Sequence, residues 1–166
     1  TRVLLRNGHH VKVFDNFSVG KKSNLVDLDL EIIKGDILDT AAVSKSIKDV
    51  EGVVHLAAQT GVPGSIKDPV KDCQVNVLGT LNILEACRNN DIERFVFASS
   101  NAPLGRQKPP ATEDKAPLPI SPYGASKLEG EGYCLAYNGS WGLGSIVLRF
   151  ANIYGPFSIH KNSVVA

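Results

Sequence analysis

The sequence predicts an α/β fold built on a doubly wound parallel sheet, and two observations carry that expectation. Short strand-like runs alternate with helical patterns along the chain, which is the order that buries a parallel sheet under helices on both faces. Small and polar residues then gather just after each run, where such a sheet opens its ligand crevice. Right-handed crossovers leave a Rossmann-like strand order as the leading topology.

Taken in order, Thr1 to Asn7 is apolar and basic and stops at Gly8, which reads as the last turns of a helix with a glycine C-cap. Val11-Lys12-Val13-Phe14 reads as a strand, and so do Glu31 to Lys34, Val53 to Ala57, Phe95 to Ser99 and Ser145 to Phe150. Helical spacing of apolar residues predicts helices over Thr40 to Ile47, Val70 to Arg88 and Pro122 to Tyr137. The residues after the five strands are Asp15-Asn16, Gly35-Asp36-Ile37, Ala57-Ala58-Gln59, Ser99-Ser100-Asn101 and Ala151-Asn152.

The chain has 166 residues, 43% hydrophobic and 21% charged, with net charge +1, the profile of one globular unit with material for a real core. At that charge no nucleic-acid partner is expected, and no apolar run approaches the length of about 18 residues that suggests a membrane span. Cys73, Cys87 and Cys134 are odd in number and lack metal-ligand spacing, so they are expected to be buried thiols in a reducing, cytoplasmic setting. No metal site is expected. His9-His10 is expected to be solvated, His55 to make a structural hydrogen bond, Trp141 to anchor a loop, and the run from Pro103 to Pro122 to form a polar surface loop.

The chemistry centres on Tyr123 and Lys127, four residues apart on a predicted helix and therefore on one face of it. A phenol titrates near pH 10, and an ammonium beside it is expected to favour the phenolate and make it a usable base. A serine from Ser99-Ser100 could share the substrate proton. Asp15, at the end of a strand, has the chemistry to accept both ribose hydroxyls of NAD and to repel the 2′-phosphate of NADP, although Asp-Asn is also a common turn after a strand. No Gly-x-Gly-x-x-Gly occurs. If Asp15 is the ribose acid, the phosphate loop should lie about 20 residues before it, so the expectation is a chain truncated ahead of Thr1.

Six blocks together resemble the extended short-chain dehydrogenase/reductase family, in particular its NAD-dependent nucleotide-sugar epimerases. They are Val13 to Gly20, Gly35-Asp36-Ile37, His55 to Gln59, Asn76-Val77-Leu78-Gly79-Thr80, the Ser99-Ser100 block with Tyr123 and Lys127, and Leu148 to Pro156. The resemblance implies Ser100, Tyr123 and Lys127 as the catalytic set. It assigns to NAD the residues Asp15, Asn16, Ser18, Gly20, Asp36, Ile37, Ala57, Ala58, Gln59, Asn76, Ser99 and Phe150 besides Tyr123 and Lys127, and to the substrate Ser100, Tyr123 and Asn152.

It further implies a cofactor domain over residues 1–157, the start of a substrate-binding region over 158–166, a UDP-hexose substrate, and a homodimer built on the helices around Asn76 to Arg88 and Tyr123 to Tyr137. The expected reaction is epimerisation at C4 through a transient keto-sugar. Alternatives within the fold are a steroid- or flavonoid-type reductase, a sugar 4,6-dehydratase and a non-catalytic NAD-binding relative. Against the dehydratase stands Asn101-Ala102, where that class has an Asp-Glu pair; against the non-catalytic relative stands the joint presence of Ser100, Tyr123 and Lys127. Pro103-Leu104-Gly105 departs from the family's Val-Tyr-Gly after the serines.

Overall fold

In the computed structural model, residues 1–153 are described, and the alternation of strand and helix expected from the sequence is realised with all strands parallel. The chain divides into two units, residues 1–36 with 152–153 and residues 37–151. The motif residues Tyr154, Gly155 and Pro156, and the expected substrate-region entry at 158–166, lie outside the described residues.

The first unit begins with helix α1 (Arg2–Arg6), which ends at Asn7 and turns out through Gly8 at φ +81°, a conformation that costs glycine nothing. Strand β1 (Lys12–Asp15) then pairs in parallel with β2 (Glu31–Lys34), Lys12 opposite Glu31 and Asp15 opposite Lys34. Gly35 follows β2 because the Phe14 ring occupies the space that a Cβ would need.

The second unit carries a three-stranded sheet in the order β3 (Gly52–His55), β4 (Arg94–Ser100), β5 (Gly144–Phe150). Helix α2 (Thr40–Ser46) opens this unit under a cap from Asp39, whose Oδ1 accepts from Ala42 N at 3.0 Å. After β3 come the short helices α3 (Val62–Lys67) and α4 (Pro69–Cys73), then a π-helical turn over Gln74–Leu78 and α5 (Gly79–Asn89). The long helix α6 (Pro122–Trp141) leads into β5. Phe95 and Phe97 of β4, Leu84 and Cys87 of α5, and Cys134 of α6 are fully buried together with Val43 of α2. Each such phenylalanine contributes roughly 1.5–3 kcal/mol by leaving water. Gly130 lets α6 come down on the sheet, since a Cβ there would run into the Phe97 ring.

The expected parallel sheet is present as a two-stranded sheet in the first unit and a three-stranded sheet in the second. The helix expected over Val70 to Arg88 is present as an uninterrupted helical run with a π turn in it, where the Asn76 side chain bonds to Gln59 and Ser126 of other elements. One expectation changes: Cys87 and Cys134 are buried as expected, but Cys73 is exposed, while its neighbour Asp72 is buried. Among the described residues no helix is long and apolar enough to cross a membrane.

Candidate active site

Helix α6 begins at the site because of its first residues. Ser121 caps it, its Oγ accepting from Gly124 N at 3.1 Å, and Pro122 takes the first helical position, where its missing N–H costs nothing. Tyr123 and Lys127 therefore fall in the first two turns. A third contact fixes the start of the helix: Tyr123 N donates to Ser65 Oγ of α3 at 3.0 Å, and Ser65 is fully buried.

The structure brings Ser100, Tyr123 and Lys127 into one locality. Ser100 Oγ donates to Asn101 Oδ1 at 3.4 Å and accepts from Ala102 N at 3.2 Å, and it stands close enough to the Tyr123 phenol to pull its pKa down. Lys127 is 4% exposed; its Nζ donates to the Ala98 carbonyl at 2.9 Å and lies 4.9 Å from the centre of the Phe97 ring. Burial pushes this ammonium down to about pH 8, against the opposing pull of Asp72. The phenol differs from the sequence expectation. Burial raises the Tyr123 pKa, the Ser100 hydroxyl lowers it, Asp72 raises it further, and Lys127 is not among the causes. The ammonium is turned to a backbone carbonyl and a ring face, so in this state Tyr123 is a protonated phenol.

Behind this pair runs a polar network that ties the elements together. Asn76 Oδ1 accepts from Gln59 N at 2.8 Å, and its Nδ2 lies 3.0 Å from Gln59 O, 2.9 Å from Asp72 Oδ1 and 3.3 Å from Ser126 Oγ. Ser126 Oγ in turn donates to Tyr123 O at 3.1 Å. Thr80 Oγ1 donates to the Asn76 carbonyl at 2.7 Å and so accepts from His55 Nε2 at 3.0 Å. Burial drives His55 down to about pH 3, which leaves it a neutral structural hydrogen-bond donor. Ser99 faces the other way, its hydroxyl bonded to Glu131 of α6 at 2.5 Å, so only its backbone is available to a cofactor. Glu131 also holds Arg149 of β5 through both carboxylate oxygens, 2.6 Å at the shortest. Phe150 ends β5 with its carbonyl accepting from Asn101 N at 2.9 Å, and Asn152 is exposed. Ala57 is exposed and Ala58 half-buried after β3; Ile37 is buried, its side chain against Gly79.

In the first unit, the residues after β1 form their own turn. Phe17 N donates to Asp15 Oδ1 at 2.6 Å and Ser18 N to Asn16 Oδ1 at 2.9 Å, while Asn16 Nδ2 reaches Asp36 Oδ2 at 2.9 Å. A Cβ on Gly20 would stand 3.3 Å from Asp15 Oδ2, so glycine keeps that oxygen clear on one side. An acceptor carboxylate left clear on the Gly20 side fits a ribose diol.

Sequence reasoning missed Ser65, Asp72, Ser126, Glu131 and Arg149. Only Glu131 carried a signal, one helical turn beyond Lys127 on the same face of α6.

With this geometry in view, the chain was compared with known proteins. The family model described as "NAD dependent epimerase/dehydratase family" matches residues 1–166. The chain belongs to the NAD-dependent epimerase/dehydratase family. A putative UDP-glucose 4-epimerase of Methanocaldococcus jannaschii is 42% identical over 92% of this chain and 50% of its own length. The crystal structure of the Thermus thermophilus UDP-glucose 4-epimerase in complex with NAD superposes with a TM-score of 0.89 at 40% identity, covering 94% of this chain and 51% of that one. A UDP-N-acetylglucosamine 4-epimerase of Methanobrevibacter ruminantium, in complex with UDP-N-acetylmuramic acid, gives 0.87 at 38% identity, covering 94% of this chain and 51% of that one. The chain thus spans about half the length of the epimerase relatives it matches. Its two units carry the Rossmann-type α/β fold of those epimerases.

Proposed function

We propose that the full-length protein is an NAD-dependent nucleotide-sugar epimerase acting on a UDP-hexose at C4. The observation that carries this reading is Tyr123 at the start of α6, tied there by its backbone to Ser65, with Lys127 buried one turn along the same helix and Ser100 at the end of β4 beside the phenol, within a chain whose relatives include several UDP-glucose 4-epimerases. Asp15 and Asn16 are assigned to the adenosine ribose, Asp36 and Ile37 to the adenine end, Ala57, Ala58, Gln59 and Asn76 to the middle of the cofactor, and Lys127 with Phe150 to the nicotinamide end. Bound NAD supplies a hydride acceptor for the sugar carbon and the positive charge of its oxidised ring. That charge would favour loss of the Tyr123 phenol proton to solvent, after which the phenolate oxygen would take the proton of the substrate hydroxyl with Ser100 Oγ sharing it; Asn152 is assigned to the substrate.

Proton and hydride both return to the sugar, so no net redox change results. Asn101 and Ala102 carry no group able to transfer a proton, which disfavours the dehydratase reading. The cofactor-binding part is assigned to residues 1–157, with a substrate-binding region starting at 158–166. A homodimer through the helices around Asn76 to Arg88 and Tyr123 to Tyr137 is supported by the exposed Leu78 of the π turn and Leu135 of α6. A cytoplasmic setting is supported by the three free cysteines.

The test is product analysis by NMR with the full-length protein, NAD and UDP-glucose. UDP-galactose without net NADH is the expected outcome; a 4-keto-6-deoxy sugar, or no conversion of any UDP-hexose, overturns the reading.

A further inference from the structure

Asp72 has no part in the reaction as described so far, yet it is 1% exposed. It sits in the first turn of α4. A first-turn acid gains little from the helix dipole at the surface. Burying a carboxylate costs far more unless another charge answers it. The dipole of a five-residue helix does not offset that cost. One oxygen of Asp72 accepts from Asn76 Nδ2 at 2.9 Å, and Oδ2 has no hydrogen-bond partner among the described residues. Its burial needs a positive charge nearby.

Lys127 supplies that charge. Helix α4 packs on α6, and the Asp72–Asn76–Ser126 hydrogen bonds end on the residue before Lys127 and on the Tyr123 carbonyl. The two groups make no direct ion pair among the described residues; Lys127 Nζ donates to the Ala98 carbonyl, and the Asp72 charge favours the ammonium through space. The other titratable groups facing Lys127 carry no negative charge free to answer it. His55 on β3 is neutral, and the Cys134 thiol on α6 is pushed up to about 12 and stays protonated. Tyr123 is a phenol, and Glu131 is occupied by Arg149 and Ser99.

We propose that Asp72 is a positioning residue of this site: its buried carboxyl group, with one oxygen on the Asn76 amide and the other unpartnered, aligns the Asn76–Ser126 bonds behind Tyr123 and turns its charge toward Lys127 on the helix packed against α4. The proposal rests on Tyr123 and Lys127 being the working pair. Asp72 touches neither substrate nor cofactor; it acts through Lys127 and Asn76.

The experiment uses the full-length protein and its Asp72→Asn variant, which keeps the shape and removes the charge. With lysine labelled at the ε carbon, the Lys127 resonance of the variant should titrate about 1 pH unit lower than in the wild type. The alkaline limb of turnover should move down with it. A Lys127 titration that stays in place overturns the proposal. If the wild type converts no UDP-hexose, the functional reading fails, while the NMR titration needs no substrate and still decides the role of Asp72.

A fold-only role is separated by a cycle with Lys127→Met, read as urea midpoints. In that background Asp72 is a buried charge without its partner, so adding Asp72→Asn should raise the midpoint. An equal loss in both backgrounds is the signature of a purely structural residue and also overturns the proposal. The cycle decides the matter even where Asp72→Asn alone folds poorly.

Discussion

The unit of residues 1–36 and the unit of residues 37–151 hold their polar groups in opposite ways. In the first, Asp15 bonds to Phe17 and Asn16 to Ser18, two residues away in each case, while the Asn16–Asp36 bond and the exposed Lys12–Glu31 ion pair reach further. In the second, Tyr123 is tied to Ser65 across 58 positions, Asn76 to Ser126 across 50, and Ser99 to Glu131 across 32. A turn that makes its own hydrogen bonds needs little from the rest of the fold. A site assembled from α3, α4, β4 and α6 exists only when the packing is right. Substitutions in the first unit should therefore change which ligand is preferred, and those in the second should abolish chemistry or folding.

The largest expected effect is at Tyr123. Tyr123→Phe keeps the ring and removes the group that exchanges the substrate proton, so turnover should fall about 10³-fold while NAD affinity stays within about threefold. Steady-state rates and calorimetry on the full-length protein measure the two. A variant that keeps its rate would break the assignment of chemistry to the second unit.

Next is the buried pair Glu131–Arg149, with side chains 7% and 21% exposed. Glu131→Ala strands the guanidinium and frees the Ser99 hydroxyl, at a cost of about 3 kcal/mol. Asn16→Ala, which removes bonds made at the surface of a turn, should cost under about 1 kcal/mol. Equal urea midpoints for the two variants would show that the contrast between the units is not energetic.

The same contrast explains what the sequence disclosed. Asp15-Asn16, Gly35 and the Ser121-Pro122 helix start are local signals, since cap, turn and proline position act within about three residues, and each was legible. The positions of Tyr123 and Lys127 on one helix were legible for the same reason. The electrostatics of the pair were not, because whether Lys127 faces a phenol, a carbonyl or a ring depends on Ala98, 29 positions away, and on Phe97 beside it. The π turn was hidden likewise: Gln74–Leu78 has ordinary helical composition, and only the pull of Gln59, Asp72 and Ser126 on Asn76 accounts for it.

Lys127 then gives a pH test confined to the second unit. Its folded-state pKa lies near 8, below the 10.5 of a free lysine. Between those values the unfolded chain binds the extra proton, so the contribution of Lys127 to stability rises with pH across that window. Activity runs the other way and should fall about tenfold per pH unit above pH 8 as the ammonium is lost. Lys127→Met should abolish the rise in urea midpoint between pH 8 and 10.5. A wild-type midpoint flat over that window would mean that Lys127 is not depressed.

The smallest effect belongs to the first unit. With Asp15 at the ribose, as proposed, the 2′-phosphate of NADP would place a like charge at its carboxylate with no basic residue at Asn16, Phe17 or Ser18 to answer it. At about 4 Å in a water-exposed turn, two unit charges repel by about 1 kcal/mol, which corresponds to roughly a fivefold preference for NAD. Asp15→Ser removes the charge and keeps a hydroxyl for the ribose, so the preference should shrink toward one without loss of turnover at saturating cofactor. Lys21 and Lys22 follow the turn and both are exposed, so added salt should weaken the wild-type discrimination by screening the repulsion. Calorimetric titration of both nucleotides at low and high ionic strength measures this. A wild type that binds NADP as tightly as NAD at low salt would remove Asp15 from the ribose and leave its carboxylate as a turn-former alone.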